Sequence, residues 1–162
     1  MTGEIPSVVR WDQGRAVVEE LLTVGQLTPV QPSRELAMQY LSTARTRLGV
    51  VELIEGEDPA GAFILSYDAA RLALASVLVN QGLRPRGDGA HAVLLDVVLA
   101  QTEPPKQPEL REFSWMRRLR NDTQYPDIDR RSATSDDLAQ AVVAANAIVD
   151  RAELLVAHMP PF

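Results

Sequence analysis

Apolar residues recur at helical spacing along almost the whole of this 162-residue chain, strict strand-like alternation is almost absent, and the breaks between periodic segments are rich in proline and glycine. These three features predict an all-α fold, an antiparallel bundle of four or five long helices plus a short N-terminal helix, joined by brief loops. The short helix is expected from Asp12, placed as its N-cap, to Thr23, with VGQLTPVQP breaking it at Gly25, Pro29 and Pro32. Ser33 is suited to cap a second helix whose seam is Ala37, Leu41, Ala44, Leu48 and Val51, at steps of four and three. That helix should end near GEDPAGA, where Gly56, Pro59 and Gly61 oppose continuation. A third helix is read from Ser66, as cap, through SYDAARLALASVLVNQGL to a stop at Gly82. AHAVLLDVVLAQ is apolar all round and is expected to be the central element. Beyond the connector TEPPKQPE, a helix over PELREFSWMRRLRNDTQ is closed by Pro126. The last helix carries Leu138, Val142, Ala145, Val149, Ala152 and Val156, with Thr134 and Asp137 spaced as a capping box. The chain divides into residues 1–32, the short helix and its linker, and residues 33–162, the bundle.

Length and composition narrow the function. One domain of this size closes one core. There is no cysteine, which removes disulfides, thiol catalysis and zinc-thiolate sites. The N-terminal MTGEIPSVVRWDQG lacks a basic start and an apolar run, no uninterrupted apolar stretch reaches membrane-span length, and a cytoplasmic protein with no membrane partner is expected. Two isolated histidines do not suggest a metal site, and no cofactor is expected.

The net charge of −6 opposes indiscriminate binding to polyanions, but it is unevenly spread. Residues 111–131 hold six arginines against four carboxylates, a local +2, which leaves −8 for the rest. Such a cluster can hold a phosphate at one place. Arginines on a solvated face that merely pair with those aspartates would give the same composition.

Within that window, RRLRNDTQYPD poses a geometric question. Positions five apart on a continuous helix point about 140° away from each other, so Arg120 and Tyr125 would diverge. Because Pro126 forces Tyr125 out of the helical region, the chain can swing its phenol back toward Arg120 and Asn121. A guanidinium fork, a carboxamide and a phenol would then face one anionic guest. The alternative has Arg120 on the helix C-terminus or an aspartate, with the Tyr125 ring packed under the loop.

YDAAR at 67–71, GLRPRGDGAH at 82–91 and RLRNDTQYP at 118–126 together resemble the HEPN family (higher eukaryotes and prokaryotes nucleotide-binding), over residues 33–157. The resemblance implies a helical dimer and, in many members, a metal-independent endoribonuclease of toxin–antitoxin or phage-defence systems. It implies RNA or a nucleotide as ligand, a homodimer, and in the toxin case an antitoxin partner. Arg120 matches the family arginine, Asn121 the polar residue after it, and Tyr125 stands where a histidine is expected. Arg117, Arg118 and Arg71 are the further candidates for contacting RNA or nucleotide. An unperturbed tyrosine, pKa about 10, is a poor base at neutral pH, so binding with slow or absent cleavage is expected. A noncatalytic dimeric interaction module with a degenerate site is the competing expectation. Arg86–His91 and Arg151–His158 also satisfy the bare spacing. His91 is read as an N-terminal packing or hydrogen-bonding residue and His158 as a helix-end contact. Asp68 and Arg71 are expected to pair along their helix, and Trp11 and Trp115 to pack.

Overall fold

The computed structural model describes residues 11–162; the first ten, inspected above for a leader, lie outside it. The elements in order are α1 (Arg15–Thr23), β1 (Leu27–Pro29), α2 (Arg34–Ile54), α3 (Pro59–Gln81), β2 (Leu83–Pro85), α4 (Ala90–Thr102), α5 (Pro108–Gln124) and α6 (Ser135–His158). The all-α expectation holds, with one small addition. β1 and β2 pair antiparallel, Thr28 opposite Arg84, in segments too short and too rich in proline to show alternation.

Several helix ends form as their residues dictate. The Ser33 hydroxyl accepts the Leu36 amide at 3.1 Å, and Ala37, Leu41, Ala44, Leu48 and Val51 are all buried. Thr134 and Asp137 form a complete capping box at the start of α6. Gly82 ends α3 at φ +83°, where a Cβ would sit 2.8 Å from the Val30 carbonyl oxygen.

Other boundaries differ from the expectation. α3 begins at Pro59, not at Ser66, because Asp58 caps it by accepting from the Gly61 amide at 2.9 Å and proline at the first helical position has no amide to satisfy. Ser66 lies buried inside the helix and donates to the Ala62 carbonyl at 2.9 Å. α1 starts after Gly14 and not from an Asp12 cap: Gly14 is left-handed at φ +76° and packs so closely on the Ala100 carbonyl that a Cβ would meet it.

The central element is α3 rather than α4. α3 packs against α2, α4, α5 and α6, and its buried residues point in every direction. Alanines at 62, 69, 70 and 73 let the neighbours approach. By length and composition α3 could cross a membrane, but most of it is buried by the other helices. Phe63, Tyr67 and Phe113 are among the largest side chains fully enclosed in the core. Each such burial contributes about 1.5–3 kcal/mol.

Two contacts fix the direction of α4. Tyr67 of α3 meets His91 of α4, and Gln81 of α3 meets Gln101 of α4. The two helices therefore run in the same general direction, and residues 82–89 must carry the chain back over the roughly 21 Å between Tyr67 and Gln81. Extended β2 and its loop can span that distance. This return delivers His91 back to the level of Tyr67 on α3.

Candidate phosphate-binding site

On α5, residues 113, 117, 120 and 121 fall at helical spacings of four, three and one, so they share a broad face. Phe113 anchors that face by stacking on Tyr67, ring centroids 5.1 Å apart and planes 14° from parallel. The Arg120 guanidinium carbon lies over the Tyr67 ring, 5.6 Å from its centroid, within cation–π range. One buried phenol thus sits in contact with an aromatic ring and a cation.

The Tyr67 hydroxyl is 2.7 Å from His91 Nδ1. Tyr67 is 1% exposed, and burial pushes its phenol up to about 12, although Arg120, Arg71 and Arg117 pull the other way. His91 is half-buried. Burial first, then the charges of Arg71, Arg120 and Arg117, hold its imidazole below the usual value, so at neutral pH it is uncharged. Three guanidinium groups from two helices therefore bear on a neutral tyrosine–histidine pair.

Beside this pair, a cavity of about 310 Å³ opens between residues 87–92 and α5, where Arg117 and Asn121 line it with His91. Asp88 also lines it. Arg120 donates to the Asn121 side-chain oxygen at 3.3 Å, and its Nε is buried without a hydrogen-bond partner among the described residues. The Arg71 guanidinium donates to Asp68 through Nε at 2.9 Å and Nη2 at 2.6 Å, and the same carboxylate also pairs with Arg47. A larger groove of about 400 Å³ lies between α2 and α6, but its Arg45 is already held by Asp150 and Glu153. By contrast, no salt bridge engages Arg117 or Arg120 among the described residues, and of the three cations near His91 only Arg71 is paired.

The residues singled out from sequence separate into two groups. Arg117, Arg120, Asn121 and Arg71 come together around Tyr67 and His91. Arg118 is exposed and does not line the cavity. Tyr125 is the C-cap of α5, its backbone leaves the helix as Pro126 requires, and its side chain is 61% exposed. Among the described residues no side-chain hydrogen bond joins it to Arg120 or Asn121. Trp115 packs edge-on against Phe63, and Trp11 donates to the Gln101 carbonyl at 2.9 Å. His158 makes the expected helix-end contact, its Nδ1 donating to the Leu154 carbonyl at 2.8 Å. The residues that sequence reasoning left aside are Tyr67 and His91, although both lie in the segments that carry the family resemblance.

A family model for the HEPN domain matches residues 34–155, three quarters of the chain. The chain belongs to the HEPN domain family. No curated protein and no solved structure matches it. This is a nucleotide-binding and ribonuclease-type family. The matched span of this HEPN chain holds all of α2 to α5 and most of α6, and so every residue of the arginine cluster.

Proposed function

We propose that this HEPN protein binds RNA or a nucleotide, holding phosphate with Arg117 and Arg120, oriented by Asn121 and favoured by the positive potential of Arg71. The supporting observation is that His91, which lines the cavity with Arg117 and Asn121, feels the charges of three arginines, Arg71, Arg117 and Arg120, in a chain that is otherwise acidic. Guanidinium forks match phosphate oxygens in geometry as well as charge. Asp88, a carboxylate in the same lining, suits a ribose hydroxyl or a base amino group.

Tyr125 at the family's histidine position makes binding the principal activity and metal-independent cleavage the weaker one. A toxin or phage-defence ribonuclease acting in the cytoplasm, restrained by an antitoxin, is the more specific form of this reading and requires that cleavage. A homodimer would bring two such clefts together, which light scattering tests. A noncatalytic interaction module has one observation in its favour: Tyr125 and Ile128 expose large side chains together in the turn after α5.

Fluorescence anisotropy with a labelled single-stranded RNA tests binding. Arg117→Ala and Arg120→Ala should each weaken it about tenfold, since each removes a charge-assisted contact. Each should also flatten the dependence of log affinity on log salt by about 0.7. A wild-type protein that binds neither RNA nor nucleotides would leave the interaction module as the reading.

A further inference from the structure

The geometry assigns His91, tethered by Tyr67, as the imidazole of this site: entering from α4 instead of α5, it donates Nε2–H to a phosphate oxygen of the bound RNA. This deepens the proposed function and rests on it.

The direction of one hydrogen bond carries the argument. Tyr67 is almost wholly enclosed, so water cannot serve its hydroxyl, and His91 Nδ1 is that hydroxyl's single partner among the described residues. If Nδ1 carried the proton and donated to the phenol oxygen, the phenol hydrogen would be left buried and unpaired, which carries its full desolvation penalty. The phenol therefore donates, Nδ1 accepts, and the neutral ring must carry its proton on Nε2.

Nε2 has no partner among the described residues, while His91 lines the cavity together with Arg117 and Asn121. The groups bearing on the ring are Tyr67 and Arg71 from α3, Arg117 and Arg120 from α5, and Asp88 in its own loop. With three cations nearby, a neutral donor adds a contact to phosphate without adding repulsion. In this tautomer the ring offers the ligand a proton donor and no free lone pair. The site is thus built to grip phosphate, and it leaves the base needed to activate a ribose hydroxyl unsupplied. Tyr67 is a positioning residue: it acts through His91.

Two measurements test the assignment. Long-range proton–nitrogen NMR of the wild type should show His91 protonated on Nε2 and His158, which donates from Nδ1, in the opposite tautomer; His158→Gln assigns the signals. In anisotropy with labelled single-stranded RNA, His91→Ala should weaken binding about tenfold, as expected for a lost hydrogen bond to a charged group. His91→Gln, which retains a donor, should recover most of that loss, and Tyr67→Phe should weaken binding severalfold while mixing the His91 tautomers. A wild-type His91 lacking the Nε2 proton overturns the assignment. So does RNA binding that Arg117→Ala weakens and His91→Ala leaves unchanged, an outcome in which the arginine site still stands. Failure of the wild type to bind RNA overturns both.

Discussion

Replacing Gln101 with leucine should be among the more damaging single changes in the core, and the reason can be worked from four atoms. Gln81 and Gln101 exchange reciprocal amide bonds, 2.7 Å in one direction and 2.9 Å in the other, and the two residues are 2% and 0% exposed. Gln101→Leu strips Gln81 of both its donor's and its acceptor's partner where water cannot substitute. At about 1–3 kcal/mol for each buried group left unpaired, the loss is about 2–6 kcal/mol, less about 1–2 kcal/mol returned by the added apolar burial. The middle of those ranges gives a net loss of about 2.5 kcal/mol, a large fraction of a typical domain's stability of about 5–15 kcal/mol. The companion Gln81→Leu should behave alike, whereas the double leucine variant leaves nothing unpaired and should lie within about 1 kcal/mol of wild type. Urea unfolding followed by circular dichroism measures all four corners of the cycle. Singles costing under about 0.5 kcal/mol, or a double variant whose loss equals the sum of the singles, would refute the reasoning.

Three further outcomes are expected. Thr134→Ala should cost about 1 kcal/mol in the same assay by opening the α6 capping box. In alkaline absorbance titration the Tyr67 phenol should ionise near pH 12, a step that Tyr67→Phe abolishes. Because its folded pKa lies above the unfolded value, the stability it contributes is present below about pH 10 and is lost as pH rises toward 12. Tyr125→His should produce or increase metal-independent cleavage of RNA in the presence of a chelator, read on a gel; an inert variant would count against Tyr125 as the position of proton transfer.

Local chemistry was legible in the sequence wherever one short segment determined the outcome. The α2 seam, the Ser33 cap, the Gly82 stop and the Thr134–Asp137 box each depend on residues a few positions apart. Ser66 misled because a hydroxyl inside a helix can satisfy itself on the preceding turn, while the true cap, Asp58, stands before a proline that looked only like a breaker. α3 and α4 are both apolar all round, and periodicity cannot say which one the other helices surround. The site divided the same way. Arg117, Arg120 and Asn121 are neighbours on one helix and could be grouped by eye, but His91 reaches them only because the 82–89 segment doubles back along α3. A motif searched along a single helix cannot register a partner delivered by that return.

The family match begins at residue 34, yet much of what steadies α4 lies upstream of it. Val18 is fully buried, Gly14 is pressed onto Ala100, Trp11 is bonded to Gln101, and β1 pairs with the strand leading to His91. At the other end Phe162 bonds to the Gln81 carbonyl and lies against Arg15. A fragment trimmed to the matched residues would keep every arginine of the cluster and lose the buttress that sets the histidine's height, so expression boundaries drawn from the family alone would yield a poor stand-in for binding studies.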